Sequence, residues 1–240
     1  MNRFQVIISA FLPKRCVYCG AFVTGNRRVC SDCRSSLLRV KGEICLRCGR
    51  ERNKCTCKNK SMYYDSLVAP FYYTGNVKRG VLNFKYHNSP RSAVEFAKEM
   101  YFCVNERYSG IDFDFIAGVP MKGGEEQRGY NQCFELCREI SKRMNIEFKE
   151  NAIVKIYETH AQHSLPFYMR KGNLCGAFDI PYPDEIKGKT VLLVDDISTS
   201  GETLNECAKM LWLSGAEKIC CVSLALTEKG RKGGEMSAGR

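Results

Sequence analysis

The stretch VLLVDDISTSGETL, residues 191–204, decides the fold of this 240-residue chain because it changes character halfway along. Its first half is an apolar run that predicts a buried strand, and this run ends at two adjacent carboxylates, Asp195 and Asp196. A cluster of hydroxyls and a glycine follows, and then apolar residues at helical spacing. The stretch therefore predicts a strand, a short loop and a helix, the repeating unit of a parallel α/β sheet.

The chain beyond about residue 60 alternates between the same two patterns. Apolar runs at residues 64–73, 113–120 and 218–227 predict further strands, and helical spacing predicts helices at 76–87, 92–108, 125–144 and 200–218. Gly215 is the expected C-terminal stop of the last helix. Strands that alternate with helices form a parallel sheet. Residues 146–180 are less regular, and residues 229–240, rich in lysine, arginine and glycine, are predicted to form a flexible basic tail.

The paired acids and the loop after them predict a binding site at the carboxyl edge of the sheet, where open α/β folds bind ligands. Two carboxylates there could hold two vicinal hydroxyls, or one hydroxyl and a Mg²⁺ ion. The free N–H groups at the start of the next helix form a cradle for an anion. Vicinal hydroxyls beside a phosphate describe a ribose 5-phosphate. The residues predicted to hold the phosphate are Ser198, Thr199, Ser200, Gly201 and Thr203.

Other interpretations of this region fit less well. The sequence GKT at residues 188–190 resembles part of a P-loop, but Pro183 stands where the first glycine should be, and the motif precedes the strand. Phosphoacceptor receiver domains also have a strand that ends in acidic residues, but it lies near their beginning, whereas here it lies near the C-terminus. A capping box from Ser200 to Thr203 would explain the helix start but not the paired acids.

The charge of the chain is unevenly distributed. The formal net charge is +11, and residues 1–60 contain 14 lysines and arginines against 3 acidic residues, which leaves 23 of each sign in the rest. The whole excess of positive charge therefore lies in the first quarter of the chain. The 44% content of hydrophobic residues is sufficient for a core and excludes a disordered protein.

Eight of the fifteen cysteines fall in four close pairs in this first quarter. Eight thiolates are enough for two tetrahedral Zn²⁺ sites, and Gly20 and Gly49 allow the backbone to turn beneath the metal. Disulfides would need an oxidising compartment, and iron–sulfur clusters usually have another spacing. We expect two structural zinc ions, with the pairing of cysteines between the sites left open. The predicted ligands are Cys16, Cys19, Cys30, Cys33, Cys45, Cys48, Cys55 and Cys57.

A basic metal-binding module of this kind often contacts nucleic acid, although a solvated face that keeps a small domain soluble is an equally open interpretation. The basic residues concerned are Arg15, Arg27, Arg28, Arg47, Arg50, Arg52, Lys54, Lys58 and Lys60.

The sequence also bears on location. The apolar run near the start is short, is interrupted by Gln5 and Ser9, and lacks a cleavage site typical of export signals. No stretch has the roughly 18 to 20 apolar residues of a membrane span. We therefore expect a cytoplasmic protein with reduced cysteines.

The stretch at residues 191–204 resembles the phosphoribosyl-pyrophosphate (PRPP) motif of type I phosphoribosyltransferases. The whole chain resembles the ComF family of competence-associated proteins, which join a cysteine-rich N-terminus to such a domain. The supporting stretches are YTGNVKRGVLNFKYH, IAGVPMKGGEEQRGYNQ and ETHAQHSLPFYMRKGNLCGAF. The fold implied is α/β, a parallel-sheet type I phosphoribosyltransferase fold with a small N-terminal zinc-ribbon domain.

The resemblance also implies residue roles. Asp195 and Asp196 would be catalytic and would hold the ribose hydroxyls of PRPP, with Mg²⁺. The turn after the strand at 113–120, with Met121 and Lys122, would bind the pyrophosphate, and Lys85, Lys122 and Arg128 are candidate cations. Thr159 and Gln162 are expected near the site, whereas a structural or solvent-facing role is favoured for His160 and His163.

We expect a double zinc ribbon at residues 1–60, a phosphoribosyltransferase-like domain at 61–228 and the tail at 229–240. The ComF resemblance predicts a protein that assists uptake or processing of DNA in natural transformation, with single-stranded DNA and a competence helicase or channel protein as partners. A metabolic phosphoribosyltransferase acting on a nucleobase or amine is the first alternative. A non-catalytic scaffold is the second.

Overall fold

The computed structural model of the chain describes residues 14–55, 57, 60–86, 90–120, 131–156 and 177–228. Its helices are α1 (Ser31–Ser36), α2 (Gly75–Tyr86), α3 (Pro90–Arg107), α4 (Gln132–Met144) and α5 (Glu202–Leu213). Its strands are β1 (Ser66–Val68), β2 (Phe71–Tyr72), β3 (Phe115–Gly118), β4 (Val154–Lys155), β5 (Phe178–Asp179), β6 (Thr190–Ser198) and β7 (Lys218–Leu226).

A parallel sheet forms the centre of the molecule and confirms the predicted α/β class. Its strands follow the order β1-β7-β6-β3. Strand β2 pairs with the same edge of β7 as β1 does, but further toward the carboxyl end of β7. The two long strands β6 and β7 pair in parallel from Thr190 with Lys218 to Ser198 with Leu226. Their buried apolar runs need no alternation because helices cover both faces of such a sheet. The short strands β4 and β5 form a separate antiparallel pair.

The strand predicted at residues 64–73 is divided in two in the structure. Ala69 and Pro70 separate β1 from β2, and both halves pair with β7. Proline has no N–H to donate to a strand ladder, which accounts for the break at this position. The carbonyl of Pro70 instead accepts a hydrogen bond from the N–H of Val40 in the N-terminal segment.

The predicted helices are present, with shifted ends. Helix α5 buries Leu204, Cys207, Ala208 and Leu211 as expected, and it ends at Leu213, two residues before the predicted stop at Gly215. The chain turns there because Gly215 has a φ of +85°, which a helix does not contain. Helix α4 begins at Gln132, where the Asn131 side chain accepts a hydrogen bond from the N–H of Phe134. The N-terminal lead-in and the basic tail lie outside the described residues.

The cysteine-rich segment packs directly onto the sheet and its helices. Tyr18 is fully buried, with its ring centroid 5.9 Å from that of Phe71 and 5.4 Å from that of Phe96. Gly80 of α2 lies against the same segment, since a Cβ atom there would be 2.9 Å from the carbonyl oxygen of Val17. The segment and the sheet therefore share one continuous hydrophobic core.

Candidate functional site

The paired acids lie near the carboxyl end of β6, just past the point where β3 stops. Residue Val194 is the last to pair with β3, opposite Gly118, and Asp195 and Asp196 follow it. Strand β6 itself continues two residues further than predicted, to Ser198. Both acidic side chains therefore stand at the edge of the sheet beside a strand that has already ended, which leaves space for a ligand.

The environment of Asp195 opposes its ionisation. Burial first, and then the neighbouring charge of Asp196, raise its pKa to about 8 against the opposing effect of Lys85. The carboxylate also accepts a hydrogen bond of 2.8 Å from the N–H of Asp196. A bound cation would favour the ionised form, so this pair of acids is suited to a positively charged ligand or metal.

Lys85 occupies the position opposite Asp196. It lies in the last turn of α2, and its Nζ is 2.7 Å from Oδ2 of Asp196. Burial is the largest single influence and would lower the pKa of Lys85, but the charge and the hydrogen bond of Asp196 together with the charge of Asp195 outweigh it and raise the pKa. The buried side chain of Gln132 donates a hydrogen bond of 3.0 Å to the Lys85 carbonyl and so connects α4 to this corner of the site. The structure thus brings the predicted cation and the acid pair together.

The predicted phosphate loop connects β6 to α5. Thr199 and Ser200 are exposed, Ser198 is buried at the end of β6, and Thr203 lies in the first turn of α5. Gly201 has a φ of +77°, a conformation that favours glycine, and a Cβ there would be 3.2 Å from the hydroxyl of Tyr64. Gly201 provides no side-chain cap for α5, but the N–H of Glu202 donates a hydrogen bond of 3.4 Å to the Ser200 hydroxyl, so the other N–H groups of the loop and first turn are the ones left for an anion.

The eight predicted zinc ligands form two separate groups of four. Within each group the Sγ atoms all lie within 4.8 Å of one another, and the groups are Cys16, Cys19, Cys30, Cys33 and Cys45, Cys48, Cys55, Cys57.

The spacing of the sulfurs fits zinc. Distances of 3.6 Å separate the sulfurs of Cys19 and Cys30, and also those of Cys48 and Cys55. A tetrahedral Zn²⁺ with bonds of about 2.3 Å requires about 3.8 Å between sulfurs, far longer than a disulfide. Gly20 and Gly49 have φ values of +79° and +71°, as the turns beneath the metals need. The two four-cysteine sites hold structural zinc.

The basic residues of the cysteine-rich segment do not form one free surface. Arg50 is only 4% exposed and is directed into the protein, so the prediction that it contacts nucleic acid is not supported by its position. Lys54 pairs with Glu51, and Arg52 with Glu43. On the first half of the segment, the guanidinium of Arg15 lies 4.4 Å from the ring centroid of Phe22, whose side chain is 63% exposed.

Several predicted site residues cannot be placed. Met121, Lys122 and Arg128 lie outside the described residues, as do Thr159, His160, Gln162 and His163. None of the helices in the described part of the chain combines the length and the apolarity that crossing a bilayer requires.

Comparisons with known proteins agree with this arrangement. The sequence model of the double zinc ribbon domain matches residues 7–63, and that of the phosphoribosyl transferase domain matches residues 131–238. The first range contains both groups of four cysteines, and the second contains β6, the acid pair, the loop and α5. The two matches thus assign residues 7–63 to the double zinc ribbon domain and residues 131–238 to the phosphoribosyl transferase domain.

Relatives share both parts. Competence protein F of Haemophilus influenzae is 27% identical over 226 residues, which cover 90% of this chain and 98% of that protein. The DNA utilization protein YhgH of Escherichia coli is 27% identical over 87% of this chain and 95% of its own length. Competence protein ComFC of Bacillus subtilis is 24% identical over 79% of this chain and 80% of its own.

Solved structures overlap only in part. Adenine phosphoribosyltransferase from Saccharomyces cerevisiae is 15% identical with a TM-score of 0.38, over 62% of this chain and 73% of that one. A similarity at that level carries no argument about the site.

The sheet, the acid pair with its loop and the two groups of four cysteines define the class: the chain is a phosphoribosyltransferase-fold protein with an N-terminal double zinc ribbon. More particularly, its relatives are named competence protein F, DNA utilization protein YhgH and ComFC, which confirms the resemblance to the ComF proteins predicted from the sequence.

Proposed function

We propose that the chain binds PRPP, or a related ribose phosphate, together with Mg²⁺ at the carboxyl edge of its sheet. The observation that carries this proposal is the position of Asp195 and Asp196 beside a loop that leads into the N-terminus of α5. Carboxylates there can hold the ribose hydroxyls, and the loop N–H groups can hold the phosphate.

Each residue has a role in this proposal. Asp195 and Asp196 accept hydrogen bonds from the ribose hydroxyls or bind the metal. Ser200, Gly201 and Thr203 receive the 5-phosphate through backbone N–H groups and hydroxyls, while Ser198 and Thr199 shape the loop. Mg²⁺ would neutralise the charge of the pyrophosphate. Lys85, freed from Asp196 when the metal or sugar takes that partner, is close enough to the site to stabilise negative charge.

We further propose that the protein assists the uptake or processing of single-stranded DNA, in association with a competence helicase or channel protein. Support comes from relatives named competence protein F and DNA utilization protein, and from the basic charge of the zinc ribbon. The exposed ring of Phe22, with Arg15 against it, offers a base a surface to stack on.

The two activities divide along the chain in this proposal. Residues 1–60 form the nucleic-acid-binding zinc ribbon, residues 61–228 form the ribose-phosphate domain, and residues 229–240 add a basic tail. Eight zinc thiolates need a reducing environment, so we place the protein in the cytoplasm.

A titration of the zinc-loaded protein with three ligands tests the ribose-phosphate site. PRPP, ribose 5-phosphate and pyrophosphate are each added in the calorimeter with and without Mg²⁺. PRPP should bind more tightly than either part alone, because it occupies both halves of the site, and Mg²⁺ should strengthen its binding. Heat changes no larger than dilution for PRPP with Mg²⁺ would contradict the proposal and favour the scaffold alternative.

The acid pair also supports a second candidate function, a phosphoribosyltransferase acting on a nucleobase or amine. Phosphoribosyl transfer passes through a cationic ribose, which neighbouring carboxylates stabilise. Release of pyrophosphate from PRPP in the presence of one member of a panel of bases and amines would establish this activity. If PRPP binds but no base or amine of the panel causes release of pyrophosphate, the domain binds PRPP without transferring its ribose.

A further inference from the structure

We propose that Arg50 of the zinc ribbon is a positioning residue that holds the ribose-phosphate loop in its anion-binding form. The inference rests on the proposed function of that loop and goes beyond it, because it gives the second zinc group a role in supporting the site. The second zinc group is the set Cys45, Cys48, Cys55 and Cys57. Arg50 was expected at a nucleic-acid surface, but its guanidinium is buried against the ends of β6 and β7.

The backbone of Arg50 is fixed by the turn that carries two zinc ligands. The N–H of Cys45 donates a hydrogen bond of 2.8 Å to the Arg50 carbonyl, and the N–H of Gly49 donates one of the same length to the Cys45 carbonyl. Gly49 rests on the sheet, since a Cβ there would be 3.0 Å from the Leu67 carbonyl and 3.1 Å from Leu226. The side chain of Arg50 therefore starts from a point that is anchored to both the metal site and the sheet.

The guanidinium makes three hydrogen bonds to two carbonyls. Its Nη2 donates to the Thr199 carbonyl at 3.0 Å and to the Thr227 carbonyl at 2.7 Å, and its Nε donates to Thr227 at 3.0 Å. The two acceptor segments are also connected, because the N–H of Thr227 donates to the Ser198 carbonyl. Charged donors buried from water give stronger hydrogen bonds than exposed neutral ones, so this contact can set the loop conformation.

The contact matters because it fixes the orientation of the peptide group between Thr199 and Ser200. In a trans peptide the carbonyl of Thr199 and the N–H of Ser200 point in opposite directions. Because Arg50 draws the Thr199 carbonyl toward the ribbon, the N–H of Ser200 is turned away from it. Within the described part of the chain this N–H makes no hydrogen bond, so it is available to an anion.

A second contact from the same zinc group supports the loop one residue further on. The hydroxyl of Tyr64 donates a hydrogen bond of 2.6 Å to the carbonyl of Arg47, which lies between Cys45 and Cys48. That hydroxyl is also the atom nearest to the position where a Cβ of Gly201 would stand, at 3.2 Å. Arg50 and Tyr64, both hydrogen-bonded to the turn that carries the second zinc group, thus contact the loop at Thr199 and at Gly201.

The test compares Arg50→Met with Arg52→Met in the zinc-loaded, full-length protein. Methionine keeps the length and apolar stem of the side chain but donates no hydrogen bond. Arg52 lies on the same ribbon with its side chain 74% exposed, so its replacement controls for the loss of one charge. Metal analysis first verifies two zinc ions per chain in each variant, and Arg50→Lys, which keeps the charge without the two-armed geometry, is the conservative variant.

Hydrogen exchange of the Thr227 and Asn205 amides, which donate to the carbonyls of Ser198 and Gly201, is the readout that does not depend on PRPP. We expect Arg50→Met to speed exchange of these amides by about tenfold or more, Arg50→Lys by less, and Arg52→Met not at all. Exchange in the interior of β7 should stay unchanged. Equal exchange of the Thr227 and Asn205 amides in Arg50→Met and the wild type, with zinc retained, would overturn the inference even if thermal stability falls.

Affinity for PRPP with Mg²⁺ is the second readout. A loss of about tenfold or more in Arg50→Met, with Arg52→Met unchanged, is the expected result. Unchanged affinity in a folded, zinc-loaded Arg50→Met would overturn the inference. If the wild type binds no PRPP, the proposed function fails, and the exchange experiment alone still decides whether Arg50 orders the loop.

Discussion

The Nζ of Lys85 lies 2.7 Å from Oδ2 of Asp196, so the cation on α2 neutralises one member of the acid pair. The side chains are only 23% and 14% exposed, so neither charge is well solvated on its own. Removal of one partner should leave the other charge poorly compensated.

Replacement of Lys85 by methionine should therefore destabilise the protein by about 2 kcal/mol in urea unfolding at pH 7. The matched control is Lys142→Met, which breaks an ion pair with Glu139 in which the lysine is 70% exposed, and which should change stability by less than about 0.5 kcal/mol. The double variant Lys85→Met with Asp196→Asn should recover part of the loss. Equal effects of the two lysine replacements would contradict the pairing.

The raised pKa of Asp195 predicts a pH dependence of stability. The folded protein binds a proton at this carboxyl up to a pH of about 8, whereas in the unfolded chain the carboxyl has its ordinary pKa of 3.8 and releases the proton there. The stabilisation that the folded protein gains from the proton on Asp195 is thus complete at low pH and is lost as the pH rises between these values. Without Mg²⁺, Asp195→Asn should be more stable than the wild type at pH 8 by on the order of 1 kcal/mol or more.

Urea unfolding of the two proteins at pH 5, 6.5 and 8 measures this difference. Asp112→Asn, at an exposed position, controls for the loss of one carboxyl. A difference between wild type and Asp195→Asn that stays constant across this range would show that Asp195 ionises normally.

Zinc removal should affect more than the ribbon. Because Tyr18 packs against Phe71 and Phe96, loss of the first zinc group opens the shared core. Metal analysis should find two zinc ions per chain, and one in Cys19→Ala or in Cys55→Ala. Each variant should lower the single unfolding midpoint of the whole chain, since a structural zinc site contributes on the order of 10 kcal/mol. If removal of zinc by a chelator left the unfolding midpoint of the sheet unchanged, the ribbon and the sheet would not share one core.

DNA binding by the ribbon should be electrostatic, with a contribution from stacking. Contact with about five phosphates of single-stranded DNA predicts a slope of about −3.5 for log affinity against log salt. Phe22→Ala should weaken binding by about fivefold or more through loss of a stacking surface. Lys187→Ala, at an exposed position before the amino end of β6, is the control. Affinity that does not change between about 50 and 200 mM salt would exclude this mode of binding.

Features built from neighbouring residues could be predicted from the sequence. The strand, the paired acids and the helix behind them follow from a local pattern, and the eight cysteines indicate their metals by spacing. The assignment of those cysteines to two groups of four needed the structure, although it follows their order along the chain.

Contacts between distant residues could not be predicted. Arg50 and Thr199 are 149 positions apart, and nothing in the ribbon's run of basic residues distinguishes the one that is buried. The same holds for Tyr18, whose burial depends on α3 and β2 packing around it. The break at Pro70 was visible in the sequence as a proline within an apolar run, and its known effect on strands would have predicted it.

The central claim is that Asp195, Asp196 and the loop after them bind a ribose phosphate. Calorimetric titration of PRPP with Mg²⁺ into the wild type and into Asp195→Asn with Asp196→Asn tests it most directly. The control, Asp184→Asn with Glu185→Gln, neutralises two adjacent exposed acids that precede β6. We predict binding to the wild type and the control, and a loss of at least about a hundredfold in the Asp195, Asp196 variant. Equal affinity in all three proteins would contradict the account.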